Sequence, residues 1–162
     1  MKDYKRVLVT AFRGSSAELL VKNSQEYRTL ILPNDKVKDS ELLINAVSNG
    51  NFDYIISFGQ RPNIKNKVHI ETTAKDSELQ VDTKFDCDRL VQLFEQNGII
   101  SKILHNAGTS FCNELYLNGL KYISQNGLNT KMVFVHIPFE KNISDLESFS
   151  EQIFYAIADI LE

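Results

Sequence analysis

Short runs of β-branched and other apolar residues alternate with amphipathic stretches along the whole 162-residue chain. Few architectures accommodate that order. A continuous apolar run suits a strand buried on both faces, and the intervening helical periodicity supplies helices to cover them. The runs at residues 6–12, 28–32, 54–58, 101–104 and 132–137 read as strands, with a weaker edge strand at 68–72. Helical spacing covers 16–22, 39–48, 85–96, 110–125 and 144–161; the third and fourth of these stop at Asn97-Gly98 and Asn126-Gly127, typical helix ends. The expected fold is α/β: a three-layer α/β/α sandwich around a twisted, largely parallel but mixed sheet, with residues 1–162 as one domain. Ligands of such sheets gather at the carboxyl ends of strands, here the segments after Phe12, Phe58, Leu104 and Val135. Residues 59–83 are the longest weakly patterned stretch and are expected to form a mobile or site-forming loop.

Composition removes several classes of function. With 18 Lys and Arg against 21 Asp and Glu the net charge is −3, leaving no basic excess for nucleic acid. No apolar run approaches the roughly 18 residues of a membrane span, so no membrane partner is expected. Two cysteines make no disulfide framework, which points to a reducing, cytoplasmic setting. Two cysteines and three histidines also lack the paired spacing of a zinc site, so no metal or cofactor is expected.

Chemistry concentrates at three residues. Cys112 lies in His105-Asn-Ala-Gly-Thr-Ser-Phe-Cys-Asn113, after a strand and just inside a helix for which Thr109 or Ser110 can serve as N-cap. In that first turn the macrodipole favours a thiolate and free amides can hold an oxyanion; the alternative is a small buried hydrophobe. A thiolate there is expected to alkylate faster than free cysteine. His136 closes the last strand and can face the cleft as an acid/base, or serve as a hydrogen-bonded core residue; His105 is a rival base. His69 reads as solvated. Glu71 follows alternating apolar positions and could orient an imidazole or simply face water. Cys87, between Asp86 and Asp88, reads as the less reactive thiol.

Asn106-Ala-Gly-Thr-Ser-Phe-Cys-Asn113 followed by Phe134-Val-His-Ile-Pro138 resembles the nucleophile and general-base boxes of the pyroglutamyl-peptidase (pyrrolidone carboxyl peptidase) family. Gly59-Gln-Arg with Ile70-Glu71-x-x-Ala74, and the opening Val7-Leu-Val-Thr-Ala-Phe12, resemble two further boxes in family order. The resemblance implies Cys112 as nucleophile, His136 as acid/base and Glu71 as the group orienting it. It also implies Phe12, Gln60 and Arg61 as substrate-binding residues. The first loop is shorter than the family's, losing a second aromatic and an Asn, and Thr72 stands where the family usually has Arg.

The activity this implies is that of a cysteine exopeptidase, releasing an N-terminal pyroglutamyl residue through a Cys-His-Glu triad and a thioester. Two alternatives stay open: an amidase or lactam hydrolase using the same triad, and a catalytically silent binding protein. The expected partner is a peptide or small amide substrate, with a homo-oligomer compatible with the family.

Overall fold

The computed structural model describes residues 1–108 and 110–162. Eight strands form: β1 (Val7–Phe12), β2 (Arg28–Leu32), β3 (Tyr54–Arg61), β4 (Lys67–Glu71), β5 (Thr73–Lys75), β6 (Gln80–Asp82), β7 (Ile100–Leu104) and β8 (Lys131–Pro138). Among the described residues five α-helices accompany them, α1 (Ser16–Val21), α2 (Lys36–Asn49), α3 (Cys87–Gln96), α4 (Phe111–Gln125) and α5 (Leu146–Ile160), with short 3-10 turns at Tyr4–Arg6 and Glu140–Asn142. The main sheet has the order β2-β1-β3-β8-β4-β7, and β5 and β6 form a separate antiparallel pair. β1, β2, β3 and β8 run parallel; β4 meets β8 antiparallel, and β7 follows β4. The sheet is mixed, as expected. Its strand order places β4 between β8 and β7, so the stretch read as an edge is interior.

Local chemistry explains the boundaries. Asp35, Asp86 and Asp145 accept backbone N–H bonds in the first turns of α2, α3 and α5, and Ser15 does so for α1. Gly98 and Gly127 take positive φ directly after α3 and α4, the conformation a helix stop needs. The central strand β8 is buried along seven of its eight residues. Val133, Val135 and Ile137 point into a core with α1, α3 and α5, whereas Met132 and Phe134 point into a second core with α2 and α4. Those two cores are the interfaces of the three layers.

The weakly patterned stretch 59–83 is not a loop. It contains the end of β3 and all of β4, β5 and β6. Its strands are short, β5 and β6 having three residues each, and β4 alternates Val68 and Ile70 with the polar His69 and Glu71, which blurs the apolar pattern that identifies a strand.

α4 is tied to this region by buried polar contacts. The Tyr116 hydroxyl, fully buried, donates to the Glu71 carbonyl at 2.7 Å. Asn113 pairs in both directions with Lys75, its Oδ1 accepting from the Lys75 N–H at 3.0 Å and its Nδ2 donating to the Lys75 carbonyl at 2.7 Å. Tyr116→Phe removes one such bond without opening a large cavity, at a cost of about 1–1.5 kcal/mol. In a chain of this size, thermal denaturation should show a Tm drop of about 2–6 °C. An unchanged Tm would mean that the hydroxyl does not anchor β4.

Candidate active site

One register row of the sheet carries the site. Gly59 on β3 is paired with His136 on β8, and His136 faces His69 on β4. Phe12 lies one step beyond the last β1–β3 pair, Ala11 with Phe58, and so joins the level of Gly59. All four positions face the layer of α2 and α4. α4 enters above this row. A Cβ added to Gly59 would lie 2.7 Å from the Cys112 sulfur and 2.9 Å from the Phe134 ring. The absence of a side chain at Gly59 is therefore what lets the sulfur settle onto the sheet. Neighbouring strands are about 4.8 Å apart, so Gly59, on which the sulfur rests, is roughly one strand spacing from the His136 backbone.

The loop before α4 achieves this against the direction of β7. Because β7 runs antiparallel to β8, its carboxyl end points away from the cleft edge. After β7 the Asn106 carbonyl reaches the Arg61 guanidinium at 3.5 Å. Thr109 lies outside the described residues. Ser110 is the N-cap of α4, yet its side chain makes no capping bond. Cys112 is the second helical residue, as the sequence suggested.

His136 is buried, and its Nδ1 lies 3.1 Å from Oε1 of Glu71, which is fully buried. The two residues are diagonal neighbours on one face, since Glu71 pairs in register with Phe134. The same Oε1 accepts a 2.9 Å bond from Arg61 Nη1. Arg61 reaches from β3 across β8 to do this. The contact fixes the carboxylate and leaves the other ring nitrogen of His136 for the cleft.

The surroundings of the sulfur oppose its ionisation. Burial pushes the Cys112 thiol up to about 12, against a smaller opposing pull from the Ser110 hydroxyl and the Arg61 charge. This burial works against the thiolate expected from the helix terminus. The macrodipole effect is about 1 kcal/mol, too little to offset desolvation of a sulfur that is 8% exposed. Cys87 is also pushed up, to about 11, by burial and then by Asp88 and Asp86, so its thiol is no harder to ionise than that of Cys112 and the shift does not set it apart as the less reactive of the two. The two cysteines are free and belong to cores on opposite faces of the sheet.

Other sequence assignments divide. Phe12 packs on the site face, 6.5 Å from Phe111 and 6.5 Å from Phe134 between ring centres. Phe111 immediately precedes Cys112 and is 40% exposed, so a second aromatic does border the mouth, supplied by α4 rather than by the first loop. Gln60 does not line the site. It projects to the opposite face, where its Oε1 accepts from the Ser16 N–H at 3.0 Å at the start of α1. Period-two alternation forces this: Gln60 must point away if Gly59 and Arg61 point in. Arg61 is spent on Glu71 and Asn106, so its expected role in shaping the substrate pocket becomes one of holding the carboxylate. His105 is exposed and its Nδ1 is 2.6 Å from the Thr72 hydroxyl, at the far end of β4 from His136. His69 is not solvated as expected: it is half-buried beside His136, with an unpartnered Nδ1. His69, Asn113 and Phe111 were missed as site residues; alternation with Glu71 was the one signal available for His69. Among the described residues no group of three or more His, Cys, Asp or Glu is placed to hold a metal ion.

A family model described as pyroglutamyl peptidase matches residues 63–148, more than half of the chain. The chain belongs to the pyroglutamyl peptidase family. The match contains Glu71, Cys112 and His136 and leaves Phe12, Gln60 and Arg61 outside. The pyrrolidone-carboxylate peptidase of Thermoanaerobacter sp. (strain X514) is 40% identical over 50 residues, covering 31% of this chain and 25% of that protein. The chain thus aligns with about a quarter of the length of the curated family members it matches. The fold extends the likeness over the whole molecule. The pyrrolidone carboxyl peptidase of Fervidobacterium islandicum AW-1 superposes with a TM-score of 0.83 at 21% identity, covering 95% of this chain and 97% of that one. Pyroglutamyl peptidase I of Bacillus amyloliquefaciens gives 0.83 at 19% identity, covering 100% and 97%.

The state of the thiol is measurable. In a Cys87→Ser protein, iodoacetamide should alkylate Cys112 at pH 7.5 at least about tenfold more slowly than free cysteine, with the rate still climbing between about pH 9 and 11. Alkylation at neutral pH faster than free cysteine would instead establish a preformed thiolate.

Proposed function

We propose that this chain is a cysteine exopeptidase that hydrolyses the amide bond following an N-terminal pyroglutamyl residue. Cys112 is the nucleophile, His136 the acid/base and Glu71 the residue that orients His136. One observation carries the reading. Within a chain of this family, the Cys112 sulfur rests on Gly59 beside His136, whose Nδ1 is held by a fully buried carboxylate.

The chemistry follows from a protonated thiol. Substrate binding brings the scissile carbonyl to the sulfur. His136 takes the thiol proton as the S–C bond forms, so its imidazole acts as a general base rather than as half of a resting ion pair. The resulting oxyanion accepts hydrogen bonds from amides in the first turn of α4, which have no intrahelical acceptor. The imidazolium, stabilised by Glu71, passes its proton to the departing amine; the C–N bond breaks and a thioester remains. Water, deprotonated by His136, attacks that thioester and releases pyroglutamate, and the proton returns to the sulfur. Phe12 and Phe111 supply the apolar wall against which the lactam ring packs.

The loop joining β1 to α1 is only Arg13, Gly14 and Ser15, which favours a second reading with the same residues and another small amide or lactam as substrate. A panel separates the two. Activity on other amides with none on pyroglutamyl compounds selects the second reading.

Wild-type protein is expected to release the fluorophore from pyroglutamyl-aminocoumarin. Cys112→Ala and His136→Ala should each lower kcat/KM by at least about 10³-fold, and Glu71→Gln by roughly 10²–10⁴-fold. Wild-type turnover in Cys112→Ala would overturn the assignment, and a complete lack of turnover on every amide would favour a silent binding protein.

A further inference from the structure

Two buried polar atoms in the site lack partners, and they are complementary. Glu71 accepts both of its side-chain bonds through Oε1, while Oε2 is buried and empty-handed. His69 Nδ1 is likewise buried without a partner. The two residues are separated by one position on β4 and share a face, so their Cα atoms are about 6.6 Å apart. Side chains of this length span that distance easily. Buried donors and acceptors left unpaired each cost about 1–3 kcal/mol, which makes two adjacent ones a conspicuous arrangement.

We infer that His69 is a positioning residue for Glu71: its Nδ1–H donates to Oε2 and so leaves Oε1 to Arg61 and His136. The inference deepens the proposed peptidase reading and rests on His136 as the acid/base. A change of His69 rotamer makes the bond, and the imidazole torsion at χ2 is broad enough to permit it. The donor is the neutral imidazole. Lys67 and Glu71 on β4, His136 on β8 and Arg61 on β3 surround His69, and Lys102 stands opposite it in the β7 register. Glu71 is the single anion of that set. Burial, followed by the opposing charges of Lys67, Arg61 and His136, lowers the His69 pKa. A neutral donor fixes the carboxylate without placing a further positive charge beside the imidazolium that forms on His136 during turnover.

The direct effect falls on His136. With Oε2 unbonded, more of the carboxylate charge is available at Oε1, so the imidazolium is favoured. Nitrogen-15 NMR titration of the histidine side chains reads this without substrate. In His69→Leu the His136 midpoint should move up by about half a pH unit or more. His69→Gln, whose amide keeps an N–H donor of sufficient reach, should restore the wild-type value; His69→Asn, which is shorter, should behave like Leu and serves if the Leu protein does not fold. An unchanged His136 midpoint in both Leu and Asn variants, or a Gln variant indistinguishable from them, overturns the inference. In an active enzyme the acid limb of the kcat/KM profile should shift in parallel. A wild-type protein inactive on every amide but showing the NMR shift and its rescue upholds the His69–Glu71 bond and removes only the peptidase reading.

Discussion

A fully buried carboxylate is the constraint from which the rest of this site follows. Glu71 has no access to water, so its charge must be balanced within the protein, and Arg61 and His136 meet it at a single oxygen. Burying a charge without partners costs several kcal/mol, and removing one partner of such a pair strands the other. The three strands β3, β8 and β4 are thereby linked by side chains as well as by their backbone ladder. Tyr116 adds a further tie, from α4 to the Glu71 carbonyl. The helix carrying the sulfur and the strand carrying the carboxylate are held to each other by the same residue.

Strand direction explains how residues from distant parts of the chain meet. In an all-parallel sheet each strand would deliver its carboxyl end to the same edge. Here β4 runs against β8, and it is the diagonal relation across an antiparallel pair that sets Glu71 beside His136. The parallel pairing of β3 with β8 sets Gly59 beside His136 in turn, and the vacancy above Gly59 receives the sulfur. One glycine and one reversal of direction give the cluster its geometry.

The buried thiol bears on how such a site would operate. Desolvation opposes ionisation of the sulfur more strongly than the Ser110 hydroxyl and the Arg61 charge favour it. In the proposed mechanism this places the burden of activation on the imidazole. The orientation of His136 by Glu71, and of Glu71 by its own neighbours, then matters more than any resting charge on sulfur. Arg61 shares the oxygen that holds His136, which makes the occupancy of the second carboxylate oxygen consequential.

Much of this was legible in the chain. The apolar runs and helix stops set the layers and nearly every element, because strand burial and capping are local properties of the residues involved. Cys112, His136 and Glu71 could be singled out as candidates because each sits in a compact motif at an element boundary. Residues 59–83 resisted because the strands there are short and β4 sets the polar His69 and Glu71 among its apolar positions, and that segment also holds Arg61. Gln60 was misassigned because proximity in sequence says nothing about which face a strand residue occupies. The sequence by itself determined the α/β class and singled out the candidate reactive groups, since both depend on residue type and local period. Only the tertiary structure decided the order and direction of the strands, the burial of the sulfur and the company Glu71 keeps. Those depend on what packs against a residue from elsewhere in the chain, and no local pattern encodes burial by a distant neighbour.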